Sequence, residues 1–344
     1  MKKYLLVILA VLLAFGVFGC AVPGNTGEVV RREGFSDYPI VFGESTEYLL
    51  DGILSIPDDA DGRVPAVLLV HGSGPQDMDE TISENKPFRD IAEYLAANGI
   101  AVFRYDKRTF SHGAKLVRDY GGSLTVEEET IKDALLAADL LKDDDRIDEN
   151  KVFILGHSLG GMLAPRIHAE GGNFAGIISL AGSPRSLLDI GYDQQMAYIN
   201  EMPEGEEKTA ALAQMGTADE QRSALNKLSD EEAKAMEMAG GISFYYYKEM
   251  DAHPVSGYIE DIQVPFLIMQ GEEDFQVYAD KDYALWQELL AGRANASFKL
   301  YEGLNHLFIQ STSGSIAESQ AEYAVAGSVD SRVLADIAAW VKTN

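Results

Sequence analysis

Residues Lys151 to Gly161 read KVFILGHSLGG, and their reading decides the fold. Val152-Phe153-Ile154-Leu155 is a short apolar run of the kind that forms a strand buried on both faces. Gly156-His157-Ser158-Leu159-Gly160 follows at once, a G-x-S-x-G, and Leu159, Met162, Leu163 and Ile167 then recur at helical spacing. Strand, sharp turn and helix is the context in which this motif makes a nucleophile elbow, with Ser158 held at the tip of a strained turn. Such a turn needs small residues two before and two after the serine, which Gly156 and Gly160 supply. The helix that follows adds a partial positive charge where an oxyanion would develop.

The rest of the chain supplies strands and helices around that unit. Val64 to Val70 (VPAVLLV), Ile100 to Tyr105, Ala175 to Leu180, Val264 to Gln270 (VPFLIMQ) and Ala296 to Tyr301 read as further strands. Pro87 to Asn98 places Phe88, Ile91 and Leu95 on one helical face and stops at Gly99. Thr125 with Glu128 has the pattern of a capping box opening a helix through Ile131, Leu135 and Leu141. Val333, Ile337, Trp340 and Val341 mark a closing amphipathic helix. Strands alternating with helices predict an α/β fold with a mostly parallel sheet covered on both faces. Tyr38 to Pro57 reads as a hairpin or two edge strands turning at Asp51-Gly52. From residue 184 to 261 the strand rhythm stops. The spacing there predicts a helical lid, with Ser229 and Glu232 capping a helix that ends at Gly240-Gly241. Its methionines and Tyr245, Tyr246 and Tyr247 are expected partly to wall an adaptable pocket and mostly to pack the lid itself.

A serine nucleophile needs a base, and the base needs an orienting carboxylate. Of six histidines, His306 alone directly follows the last strand, at the sheet edge where Ser158 emerges. His157 is expected to point away from the serine's chemistry, and His71 to shape the loop after its strand. Gly271-Glu272-Glu273-Asp274 follows the preceding strand at the same edge. Asp274 is the best acid there, with Glu272 and Glu273 expected to face outward. The oxyanion hole then needs two backbone donors. Leu159 N–H follows the nucleophile, and the second comes from the loop after Val64–Val70, from Ser73 N–H or, alternatively, from Gly74.

The order Ser158, Asp274, His306 is that of the α/β-hydrolase fold, and the chain resembles that superfamily across residues 38 to 344. The resemblance is carried by HGSGPQDMDE (71–80), NKPFRDIAEYLAANGIAVFRYDKR (85–108), GHSLGG (156–161), QGEEDFQV (270–277) and GLNHLF (303–308). It looks most like bacterial secreted esterases related to the prolyl-oligopeptidase-like branch. That resemblance implies carboxylesterase activity on small acyl esters, with no metal or organic cofactor required. The 184–261 stretch carries no such motif. The competing readings are a serine peptidase or aminoacyl-ester hydrolase of the same fold and, in another class, a surface lipoprotein binding module without catalysis.

Lys2-Lys3 and the apolar run to Gly19 form a signal segment too short for a comfortable transmembrane helix. It ends in Val17-Phe18-Gly19-Cys20, which resembles a bacterial lipobox with Phe18 departing from the usual small residue. Cys20 is the only cysteine and is expected to be lipidated as the first mature residue. Residues 21–34 would then be a flexible tether, followed by a hydrolase core of 35–183 and 262–344. The expected location is extracytoplasmic, at the cell surface or, alternatively, secreted. A formal charge of −27 makes nucleic acid and anionic lipid surfaces poor partners, because the summed field repels phosphates.

Overall fold

The computed structural model describes residues 27–58, 60–236 and 242–344. Cys20 and the signal segment lie outside the described residues. One nine-stranded sheet runs in the order β1-β2-β3-β5-β4-β6-β7-β8-β9. Its strands are β1 (Val30–Arg31), β2 (Phe35–Phe42), β3 (Leu50–Pro57), β4 (Val64–Val70), β5 (Ala101–Tyr105), β6 (Ile147–His157), β7 (Ile177–Leu180), β8 (Phe266–Gly271) and β9 (Ala296–Tyr301). From β5 to β9 every pairing is parallel, and the pairings from β1 through β3 to β5 are antiparallel. The sheet is thus mostly parallel, as the alternation of strands and helices predicts.

Period-two alternation splits each central strand between two cores. Ala66, Leu68 and Val70 of β4 face one side, with Val152 and Ile154 of β6. Val67 and Leu69 face the other, with Phe153 and Leu155. The second side is covered by α1 (Pro87–Ala97), through Phe88, Ile91 and Leu95, and by the C-terminal helix through Val333, Ile337 and Val341. Each such fully buried side chain contributes about 1.5–3 kcal/mol relative to exposure. After β5 comes α2 (Arg108–Tyr120), then α3 (Lys132–Asp143), which packs Ala134, Ala137 and Leu141 on the first side. Thr125 does bond Glu128, its hydroxyl donating to Oε2 at 2.9 Å, but the element it opens begins as a π-helical turn over Glu127–Ile131 before α3. Helix α4 (Leu159–Ile167) follows β6.

Between β7 and β8 the described residues form α5 (Leu187–Glu201), α6 (Glu206–Met215), α7 (Ala218–Asn226), α8 (Asp230–Lys234), α9 (Phe244–Ala252) and α10 (Val255–Ile259). The chain closes with α11 (Ala284–Leu289), α12 (Ser319–Tyr323) and α13 (Ser331–Thr343).

Three local expectations are corrected. Asp51-Gly52 is no turn: both lie inside β3, where Gly52 is needed because a Cβ would stand 2.8 Å from the Phe103 ring. The chain reverses at residues 43–49 instead, with Gly43 at φ +92°. Ser229 and Glu232 form a reciprocal capping box, yet α8 ends at Lys234, well short of Gly240-Gly241, which lie outside the described residues. Within the stretch expected as a tether, Val30 and Arg31 pair with Asp37 and Ser36 and extend the sheet.

Candidate active site

The elbow is built by close approach of main chain. Ser158 has φ +53° and ψ −116°, a region costing a non-glycine residue roughly 1–3 kcal/mol. Its surroundings hold it there: Ser158 N–H donates to Leu180 O at 2.9 Å, and Met162 N–H donates to Ser158 O at 3.1 Å. A Cβ on Gly156 would fall 2.1 Å from the Gly160 carbonyl carbon, and one on Gly160 would fall 2.1 Å from Val70 O. Both positions therefore require glycine. Leu159 is the first residue of α4, so its N–H has no intrahelical acceptor and adds to the positive helix end.

Beyond β8, Glu272 and Glu273 are exposed while Asp274 is buried. Asp274 Oδ1 accepts from the amides of Gln276 and Val277 at 2.8 and 2.9 Å. Its Oδ2 accepts from Gln270 Nε2 at 2.8 Å and from His306 Nδ1 at 2.7 Å. Four donors replace water around this carboxylate and make its buried charge tolerable. With Nδ1 committed as a donor, neutral His306 carries its lone pair on Nε2, the tautomer a general base requires.

The loop carrying His306 is caged by its neighbour. Asn305 Oδ1 accepts from Leu307 and Ile309 N–H at 3.0 and 3.2 Å, and Nδ2 donates to Glu322 Oε1 at 2.7 Å. The structure thus brings Asp274 and His306 into direct contact and sets Ser158 on the adjoining turn. Ser158 and His306 share no hydrogen bond.

After β4, His71 is neutral because burial lowers its pKa to about 4, and its Nε2 lies 3.0 Å from Asp77 O, closing the loop after the strand. Gly72 lies against the candidate nucleophile, a Cβ there standing 3.2 Å from Ser158 Cβ. Ser73 N–H has no acceptor among the described residues. Gly74 has φ +82° with open space around it.

His157 turns away from Ser158's hydroxyl chemistry into a buried ion pair. Its Nδ1 lies 3.0 Å from Glu80 Oε2, too poorly aligned for a hydrogen bond, while Nε2 bonds His306 O at 2.9 Å. Burial opposes both charges, but each partner outweighs it: Glu80 raises the pKa of His157, and His157 lowers that of Glu80. Glu80 and the buried Lys107 belong to the site's frame, and sequence reasoning assigned neither a role. Their signal was position, since both fall in the segments 71–80 and 85–108 that carry the resemblance.

Tyr246 and Tyr247 do not wall the site. Both are buried in the main core, with Met250. A small cleft lies between α4 and the capping helices, lined by Met162, Arg166, Met250 and Tyr258 among others, and neither Ser158 nor His306 opens onto it. Among the described residues no cluster of three or more His, Cys, Asp or Glu is placed to hold a metal ion.

Residues 67–318 match the alpha/beta hydrolase family. The chain is 38% identical over 292 residues to the esterase EstD of Thermotoga maritima, an alignment covering 85% of this chain and 65% of that one. It therefore spans somewhat less than two thirds of that relative's length. An esterase from Pyrococcus furiosus superposes with a TM-score of 0.52 at 16% identity, covering 90% of each chain. Est1E from Butyrivibrio proteoclasticus gives 0.54 at 15% identity, covering 89% of this chain and 99% of that one. At these identities the solved structures establish the fold.

Proposed function

The chain belongs to the alpha/beta hydrolase family, and from that premise we propose that it is a serine carboxylesterase acting on short acyl esters. The observation that carries this reading is the pair of buried groups beside the elbow: a His306 ring bonded through Nδ1 to Asp274 at 2.7 Å, next to a serine held at φ +53°. Ser158 attacks the ester carbonyl as His306 Nε2 takes its proton, forming a tetrahedral intermediate whose oxyanion is received by the Leu159 and Ser73 amides. His306 then protonates the leaving alcohol, and the acyl-enzyme is hydrolysed by water activated in the same way. Asp274 keeps the imidazole in the productive tautomer and stabilises it when charged.

The 38% identity to an esterase supports ester over amide chemistry. Support for small acyl groups is steric, since His306 and Asp274 are only 3% and 4% exposed and the reacting serine is half-buried. The proposed cellular setting is a membrane surface reached through a lipid on Cys20, supported by the apolar segment before it. Absence of lipid on the native protein would remove that part alone.

The test is a hydrolysis panel of p-nitrophenyl esters of rising acyl length with aminoacyl amides, run on wild type and Ser158→Ala. Ester turnover abolished in the variant supports the reading. Equal turnover by both proteins, or faster cleavage of the amides, overturns it.

A further inference from the structure

The Gly72–Ser73 peptide is gripped by buried charge. Lys107 Nζ donates to Gly72 O at 2.9 Å, and Gly72 N–H donates to Glu80 Oε1 at 2.7 Å. Lys107 is 1% exposed and lies two residues past the end of β5. Its ammonium also sits 2.5 Å from Glu129 Oε1, and Glu129 Oε2 accepts from the Tyr246 hydroxyl at 2.6 Å. Glu129 lies in the π-helical turn before α3, and Tyr246 lies on α9. A continuous buried chain, Gly72–Lys107–Glu129–Tyr246, thus runs from the loop beside the nucleophile into the capping helices.

A charged side chain taken fully out of water is retained only where its contacts are worth more than its hydration. Here the contact has a definite geometric consequence. The peptide unit is planar and trans, so the Gly72 carbonyl and the Ser73 N–H point in opposite directions. Fixing the carbonyl on Lys107 fixes the direction of the Ser73 amide, which has no other partner among the described residues. Gly72 itself packs on Ser158, so this peptide lies at the reacting centre.

We propose that Lys107 is the positioning residue of the oxyanion hole, holding the Gly72–Ser73 peptide so that the Ser73 amide stays aimed at the developing oxyanion, and that Glu129 and Tyr246 tie this orientation to the docking of α9. The proposal rests on the esterase reading and adds to it a device by which the capping helices govern kcat. A preset donor acts on the tetrahedral intermediate and barely on the ground-state ester, so its loss falls on kcat and leaves KM nearly unchanged. The same loss weakens a trifluoromethyl ketone, whose hemiketal oxygen occupies the same position.

The test uses the full chain, p-nitrophenyl butyrate and an alkyl trifluoromethyl ketone. Lys107→Met alone strands Glu129, so it is combined with Glu129→Gln. The double variant is expected to lose roughly 10²-fold in kcat, the scale of one oxyanion donor, with KM within threefold and inhibitor Ki raised in proportion. Tyr246→Phe removes one hydroxyl and is expected to lower kcat threefold to tenfold. It should have no further effect in the double-variant background. A folded double variant with wild-type kcat, or a kcat loss with unchanged Ki, overturns the proposal. Should the double variant fail to fold, Tyr246→Phe decides: unchanged kcat and Ki overturn it. Wild-type activity that does not depend on Ser158 would instead sink the esterase reading, so the two failures are told apart.

Discussion

The Nε2 of His157 bonds the main-chain carbonyl of His306 at 2.9 Å, so the residue before the candidate nucleophile supports the residue that carries the candidate base. Because Glu80 holds the other side of the His157 ring and also bonds Gly72 N–H, one buried pair spans three of the loops that make the site.

That pair carries a stability prediction. Glu80→Gln leaves a buried imidazole without its counter-charge and is expected to cost about 3–5 kcal/mol, while Glu80→Gln with His157→Gln recovers most of it. The pH dependence follows from the two shifts. The pKa of His157 is raised, so its contribution is complete below the ordinary 6.5 and is lost as pH rises through the folded value. That of Glu80 is lowered, so its contribution is complete above the ordinary 4.5 and is lost as pH falls through the folded value. The stability gap between wild type and the double variant should therefore be widest between pH 4.5 and 6.5. Urea-unfolding midpoints across pH check this, and a gap that widens steadily above pH 7 would contradict it.

Catalytic assignments are separable by substitution. Ser158→Ala and His306→Ala should each lower kcat by about 10⁶, because nucleophile and base act as a unit. Asp274→Asn should cost on the order of 10⁴ through the wrong imidazole tautomer. Glu273→Gln should leave kcat unchanged, since that side chain is exposed beside the loop. Full activity in Asp274→Asn with loss in Glu273→Gln would reverse the acid assignment.

Asp106 titrates in the sense opposite to Glu80. Burial, reinforced by Asp77, Asp51 and Asp79, raises its pKa to about 7, although it accepts Met78 N–H at 2.8 Å. The folded chain therefore keeps a proton that the unfolded chain releases near the ordinary 3.8, and stability falls as pH rises from there through about 7. Asp106→Asn should raise Tm on the order of 5 °C at pH 8 and leave it unchanged at pH 4. Equal shifts at both pH values would rule out this source.

How much was legible in the sequence follows from where each signal lives. The elbow, the strands through β4, β6, β8 and β9, and the pairing of Asp274 with His306 rest on local patterns, namely apolar runs ending in polar loops at one sheet edge. Asp51-Gly52 misled because the same dipeptide that makes a turn also serves a strand whose neighbour, Phe103, leaves no room for a side chain. The buried network was hidden for another reason. Lys107, Glu129 and Tyr246 come from three distant segments, and each taken singly resembles a solvated or interfacial residue. Only their meeting satisfies the charges. Tyr245-Tyr246-Tyr247 read mostly as packing within the lid and partly as pocket wall, whereas burial of Tyr246 and Tyr247 in the main core makes them part of the contact between α9 and the sheet face.

That contact bears on acyl length. The capping helices are anchored at both ends of the site: Tyr246 through Glu129 on one side, and Gln194 of α5 donating to Gln276 O at 3.0 Å, on the loop of Asp274, on the other. Phe244, Met250, Val255 and Ile259 of α9 and α10 lie in the main core, so the cap cannot swing away without exposing them, at about 1.5–3 kcal/mol for each large side chain. On the proposed esterase reading, a fixed cap sets a fixed depth for the acyl group. Each methylene that fits adds about 0.8 kcal/mol, roughly fourfold in kcat/KM, until the space is full. The first that does not fit must force the core apart or remain in water. kcat/KM should therefore climb from acetyl, reach its maximum by hexanoyl, and fall steeply toward long-chain esters. A series of p-nitrophenyl esters from acetyl to palmitoyl, assayed below micelle formation where solubility allows, measures the profile. A kcat/KM that rises without a break through palmitoyl would mean that the cap opens, and that its burial does not hold it shut.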